Sequence, residues 1–206
     1  MNLKDKAWFP VIYMFMLTLI LSTVLIIFGT ITRKRVKENE AIAFERAVIQ
    51  SLPVEIAGTT APWQIHQIYL SSIREADETS AGAFRYVKGD SIKGYALPLE
   101  GPGFWAPIKG VIGFEPDAMT ISGIAFYEQN ETPGLGGEIT KTSFREQFVG
   151  KRISQTGTPL QIRGPTEPLD ESSVHAITGA TQTSNRLAKF MNENISQWRA
   201  RMAEQK

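Results

Sequence analysis

The pattern of apolar and polar positions divides the chain unequally. From Ala7 to Ile31 it is one uncharged apolar run, AWFPVIYMFMLTLILSTVLIIFGTI. At about 1.5 Å of rise per helical residue, such a run crosses a hydrocarbon core of about 30 Å. It predicts a transmembrane helix, with Trp8, Phe9 and Tyr13 at one interface, where an aromatic ring meets both lipid and water. The competing pattern is a cleaved signal peptide. The run is too long for that, and its exit, Thr32-Arg33-Lys34-Arg35, is a basic stop-transfer pattern without a small-x-small cleavage site.

Past the run the periodicity changes. Ala41, Phe44, Ala47 and Val48 recur at helical spacing, so Val36 to Gln50 predicts a stalk or first packing helix that ends before Pro53. Gly58 to Pro62 reads as a loop, and the alternation from Trp63 to Leu70 predicts a strand. Ala83 to Lys88 and Ile92 to Leu99 form an expected hairpin around Gly89-Asp90-Ser91. A second joins Lys109–Phe114 to Met119–Tyr127 around Glu115-Pro116-Asp117. Ser143 to Val149 predicts a short helix, Leu160 to Arg163 one more strand, and Gln182 to Met202 the longest soluble helix. Strands in the middle with helices towards both ends predict an α+β fold, a mostly antiparallel sheet with flanking helices, rather than a doubly wound parallel sheet. The expected organisation is an anchor over 1–32, a stalk over 33–56 and one domain over 57–206.

Composition narrows the chemistry. The 206 residues contain 22 Lys plus Arg against 21 Asp plus Glu, so no broad basic face exists for a phosphate backbone, and nucleic-acid binding is not expected. Cysteine is absent, which removes disulfides, thiolate metal sites, iron–sulfur ligation and a cysteine nucleophile within this chain. With only His66 and His175, a histidine-rich metal site is excluded, no metal ligand or catalytic residue is singled out, and any redox chemistry requires an organic cofactor. Around the apolar run, Lys4, Lys6 and the terminal amine face Arg33, Lys34, Arg35 and Lys37, a count that leans the main domain towards the cytoplasm.

Two loops carry more glycine than turns require and are candidates for contact with a flat ligand: Glu100-Gly101-Pro102-Gly103-Phe104-Trp105 and Glu131-Thr132-Pro133-Gly134-Leu135-Gly136-Gly137-Glu138. A third segment, Thr178-Gly179-Ala180-Thr181-Gln182-Thr183-Ser184, leads into the last helix. Two readings fit it. One is a plain N-cap; the other is a phosphate on Thr181, held where a helix start favours an anion by about 0.3 to 1 kcal/mol.

The segment Thr178 to Thr181, followed by Thr183-Ser184, resembles the flavinylation motif of two related FMN-binding proteins. These are the C subunit of the sodium-pumping NADH:quinone reductase and the G subunit of the Rnf ferredoxin:NAD oxidoreductase. Glu131 to Glu138 is similar to both families, and Gly103-Phe104-Trp105 resembles a Gly-Leu-Trp of the first. Three motifs in order, behind one anchor, extend the resemblance over nearly the whole chain.

The resemblance implies FMN joined through a phosphodiester to Thr181 by a dedicated flavin transferase. It implies further cofactor contacts from Thr178, Gly179, Ala180, Thr183 and Ser184, from Glu131, Thr132, Pro133, Gly134, Leu135 and Gly136, and from Trp105. It also implies an electron-carrying protein without turnover of its own, working with other membrane subunits of an ion-translocating complex. The setting is a single pass of the inner membrane with the flavin domain outside the cytoplasm, against the charge count. Length places the chain nearer the Rnf protein, while Gly103-Phe104-Trp105 and Gly137-Glu138 lean towards the quinone reductase. His175 departs from the pattern, which has an acidic residue six positions before the modified threonine. That bears on how the transferase recognises the site.

Several roles stay open at this level. Phe104 and Trp105 stack on the flavin or pack in a core. Glu131 and Glu138 tune the flavin, pair with Arg145 or sit in solvent; Lys141 and Arg145 are candidates for one edge of the ring. Trp198 is expected in the core. The rival functions are a self-standing extracytoplasmic flavin reductase and a tethered assembly module without flavin.

Overall fold

The structure, a computed structural model, describes residues 6–54 and 61–204, so most of the expected 58–62 loop lies outside the described residues. The chain divides into two compact units, Met1–Ala41 and Ile42–Lys206. Helix α1 (Phe9–Ser51) supplies the regular structure of the first unit and contributes its last turns to the second.

Within the first unit, α1 is long and apolar enough to cross a membrane, and its apolar side chains, Leu25 and Phe28 among them, are exposed. Three of its hydroxyls are satisfied inside the helix: Thr23, Thr30 and Thr32 donate to the carbonyls of Leu19, Ile26 and Phe28 at 2.7, 2.8 and 2.9 Å. That is the arrangement a segment without water demands.

The second unit is built on an antiparallel meander, β1 (Ile73–Arg74), β2 (Phe84–Lys88), β3 (Ser91–Pro102), β4 (Pro107–Phe114) and β5 (Ile121–Glu128), each strand beside its sequence neighbour. The period of two sends alternate residues to opposite faces. On one face Leu97, Leu99, Ile108, Ile112 and Ile124 meet Leu187, Phe190, Met191, Ile195 and Trp198 of α4 (Thr181–Glu204). On the other, the smaller Ala96, Val111 and Ala125 meet Ala47, Val48, Ile49 and Leu52 at the end of α1 and Ile65 and Tyr69 of α2 (Pro62–Ser72). That face is small for a reason: a Cβ on Gly113 would lie 1.8 Å from the Ser51 carbonyl oxygen. The same carbonyl, at the helix end, accepts a hydrogen bond of 2.7 Å from the Ser122 hydroxyl.

Both predicted hairpins form, and Gly89 takes the positive φ, 63°, that its turn needs. The short helix at 143–149 is α3 (Thr142–Arg145) followed by a 3-10 turn, and the expected strand near 160 is β6 (Gln161–Arg163). It pairs in parallel with β7 (Ser173–His175), a strand the pattern did not reveal.

Two expectations are corrected. Trp63 to Leu70 is helical, not a strand. Pro62 presets the first turn, the Gln64 side chain accepts from the Ala61 N–H at 2.8 Å, and the buried pair is Ile65 and Tyr69, one helical turn apart. Glu100 to Trp105 is not one loop, since β3 continues to Pro102. Gly101 serves packing there, because a Cβ would lie 2.2 Å from Cγ of Phe190.

Candidate functional site

Helix α4 starts at Thr181, and the chain reaches it from β7 through a tight turn. Gly179 has φ of +78°, the left-handed region that favours glycine, and the Ala180 N–H donates to the Ile177 carbonyl at 3.1 Å. Ser184, in the first turn of the helix, is buried and its hydroxyl accepts from the Ile177 N–H at 3.3 Å. Upstream, Asp170 ties the approach to β7. Its carboxyl is held below the usual range by the Ser173 hydroxyl and the Ser172 N–H, and it pairs with Arg163. Thr181 itself is exposed, at the end of a 24-residue helix whose first N–H groups point out of the backbone ladder.

Beside it lies a cavity of about 350 Å³. The helix start contributes Gly179, Ala180, Thr181 and Thr183, and the 131–136 loop contributes Glu131, Thr132, Leu135 and Gly136. Trp105 and Phe104 form the remaining wall, edge to face with ring centroids 4.9 Å apart. Three large apolar side chains therefore ring one hollow while staying open to solvent: Trp105 is 68% exposed, Phe104 46% and Leu135 44%.

Glu131 is the polar centre of the site, 5% exposed. Its Oε1 accepts from the N–H groups of Phe104, at 2.7 Å, and Trp105, at 3.3 Å. Its Oε2 accepts from the Thr183 hydroxyl at 2.5 Å. Two glycines make room for the carboxylate: a Cβ on Gly103 would stand 2.6 Å from Oε1, and one on Gly136 2.7 Å from Oε2. The loop behind it closes on the Thr132 carbonyl, which accepts from the N–H groups of Leu135 and Gly137 at 3.1 and 3.0 Å. The Trp105 indole N–H donates to the Thr132 hydroxyl at 3.3 Å.

Nine of the residues expected to contact the cofactor thus meet at one hollow. The others sit elsewhere. Thr178 and Gly134 line a neighbouring depression with Glu138 and Gln147, Pro133 is exposed in the loop outside the cavity lining, and Ser184 serves the turn. His175 ends β7, its N–H bound to Gln147 and its Nδ1 3.1 Å from the Gly164 carbonyl, outside the cavity.

The suggested roles of three charged groups are corrected. Glu138 pairs with Lys141 at 2.6 Å and accepts from the Gly134 N–H, so it braces the loop rather than meeting Arg145. Arg145 donates to Gln50 at 3.1 Å, and neither cation lines the cavity. Two further residues belong to the site and were not singled out. Gln182 lines the cavity, and Arg186 donates to the Gly103 carbonyl at 3.1 Å with its guanidinium 5.8 Å from the Phe104 ring centroid. Gln182 was within reach as the neighbour of Thr181; Arg186 carried no local signal.

Comparison with known proteins agrees with this geometry. The sequence model of the FMN-binding domain matches residues 103–196, a stretch that contains every wall of the cavity. The C subunit of the Na(+)-translocating NADH-quinone reductase of Vibrio vulnificus is 43% identical over 100 residues, 47% of this chain and 39% of that protein. Its counterpart from Vibrio anguillarum is 35% identical over 152 residues, 72% of this chain and 57% of that one. The chain thus spans about two fifths to three fifths of the length of these curated relatives. The crystal structure of the C subunit from Parabacteroides distasonis has the same fold, with a TM-score of 0.71 at 24% identity over 84% of this chain and 98% of that one. Residues 103–196 thus match the FMN-binding domain model, in a chain similar to the C subunits of Na(+)-translocating NADH-quinone reductases.

Proposed function

We propose that this chain is the FMN-carrying member of a membrane-bound, ion-translocating oxidoreductase of the Na(+)-translocating NADH-quinone reductase type, with FMN held on Thr181 by a phosphodiester. The observation that carries the reading is the exposed Thr181 hydroxyl at the edge of a cavity walled by Trp105, Phe104 and Leu135, within the stretch that matches the FMN-binding domain. The size suits a cofactor, since small-molecule pockets span roughly 300 to 1,000 Å³. Solvent-facing aromatic and aliphatic surface around a hollow is what a flat apolar ring would cover. The identity of the relatives favours this complex over one of the Rnf type.

When bound, the flavin supplies reversible electron uptake, and the residues around it position it and limit its contact with water. Trp105 and Leu135 offer apolar surfaces for the ring. The first turn of α4 accommodates the negative charge that a phosphodiester keeps at Thr181. An unactivated threonine hydroxyl is a poor nucleophile, and the Glu131 carboxylate in the lining is engaged by Thr183 and two backbone N–H groups rather than by Thr181, so attachment calls for a separate transferase. α1 anchors the chain in the bilayer, with the flavin domain outside the cytoplasm and the other members of the complex as partners. Because the chain has no cysteine, a single one introduced at Lys189 reports the sidedness by labelling of intact cells with a membrane-impermeant maleimide. Labelling that requires the membrane to be ruptured would reverse that assignment.

The deciding experiment is intact mass spectrometry with in-gel fluorescence on the chain produced together with the transferase. One FMN increment and a fluorescent band that survives denaturation are expected, both absent in Thr181→Val. A wild-type mass equal to its amino acids alone removes the covalent carrier and leaves the flavin-free module; catalytic turnover by the isolated chain would instead establish a self-standing reductase.

A further inference from the structure

We infer that Glu131 is the positioning residue of this site, with two coupled tasks: it clamps the Phe104–Trp105 wall to the start of α4, and its buried charge lowers the reduction potential of the flavin. The first task stands on the flavin-free protein; the second rests on the function proposed above.

The geometry is that of a three-way junction. The carboxylate belongs to one loop, takes two backbone N–H groups from the turn after β3, and takes the Thr183 hydroxyl from α4. These donors stand 26, 27 and 52 residues away in sequence, and the one carboxylate hydrogen-bonds to both of the other segments. Every contact is donated to the carboxylate, the pattern that serves an acceptor-only anion. Gly103 and Gly136 leave no space for a side chain on either side of it, so the site is shaped around this group.

The turn it holds has little else to fix it. The Gly103 N–H donates to the Ala106 carbonyl at 3.0 Å, Arg186 reaches the Gly103 carbonyl, and the Trp105 indole reaches Thr132 at 3.3 Å. Phe104 and Trp105 stay largely exposed, with only the Arg186 guanidinium near the first ring and Thr132 at the second, and loss of the two N–H contacts is expected to loosen the direction of both. A fixed carboxylate in the lining also acts by charge. Each electron taken up in the hollow adds negative charge near it, in surroundings less polar than water, and the interaction is repulsive. Removing the charge while keeping the shape therefore makes the flavin easier to reduce.

An isosteric and a truncating variant separate the tasks. Glu131→Gln keeps an oxygen for the two N–H groups and loses the charge; Glu131→Ala loses both. The full chain in detergent, made without the transferase and labelled with 5-fluorotryptophan, reports the clamp through the ¹⁹F resonance of Trp105, assigned with Trp105→Phe. Glu131→Ala is expected to move that resonance towards the solvent-exposed value and narrow it, and Glu131→Gln to leave it near wild type. An unmoved resonance in Glu131→Ala overturns the clamp. If that variant does not fold, Thr183→Val, which removes one donor, decides the same point by a smaller shift in the same direction. On the flavinylated chain, redox titration is expected to give Glu131→Gln a more positive midpoint potential than wild type. An equal or more negative potential overturns the electrostatic task while the clamp result stands. Failure of wild type to acquire flavin counts against the proposed function, and the ¹⁹F measurement still decides the clamp.

Discussion

A tryptophan stands at each end of α4, one its own and one from the turn after β3, and the two are treated oppositely. Towards the C-terminal end, Trp198 is fully buried, stacked on Phe114 with centroids 4.9 Å apart, and its indole N–H donates to the Ser80 carbonyl at 3.0 Å. Near the N-terminal end, Trp105 is 68% exposed beside a cavity. Trp198 is a completed piece of core. Trp105 has apolar surface left over, and beside it an exposed threonine begins a helix. The difference teaches that the same side chain serves stability where its surface is covered by the fold and serves binding where the fold leaves it uncovered.

The comparison can be broken most sharply at Thr181. Thr181→Val is expected to abolish flavin attachment completely while leaving the thermal midpoint of the flavin-free chain nearly unchanged, because the position is exposed. A flavinylated Thr181→Val protein would move the attachment elsewhere. Next in size are the tryptophans themselves. Trp198→Ala should cost about 3–5 kcal/mol, as truncation of a fully buried aromatic does, and denaturant unfolding measures it. Trp105→Ala should stay within about 0.5 kcal/mol in the flavin-free chain. Equal losses would mean that the exposed wall is core after all.

The smallest expected effect lies on the opposite face of the sheet. Burial, then the charges of Glu75 and Glu45, pushes the Tyr69 hydroxyl up to about 12. A group raised from about 10 in the unfolded chain adds stability that is complete below pH about 10 and is lost as pH rises through about 12. Tyr69→Phe should flatten the stability profile between those values and leave the cavity untouched. An unchanged alkaline slope would show that another group carries it.

How much of this was legible depended on distance along the chain. The anchor, both hairpins and α4 follow from apolar periodicity and turn residues, which act between near neighbours. α2 was misread because Trp63 to Leu70 supports two periods. Burial of Ile65 and Tyr69 against α1 and the sheet selects the helical one, and that contact is not local. β7 escaped notice because three residues pairing with β6 carry too little pattern.

The sequence by itself determined the long apolar run, the two hairpins and the last helix to within one residue of its start, since each rests on the chemistry of adjacent residues. Only the tertiary structure decided that Trp105, Leu135 and Thr181 share one hollow, that Lys141 and Arg145 stand outside it, and that Glu131 ties three segments together. Those facts depend on hydrogen bonds and close approaches across 26 to 52 residues, which no local pattern encodes.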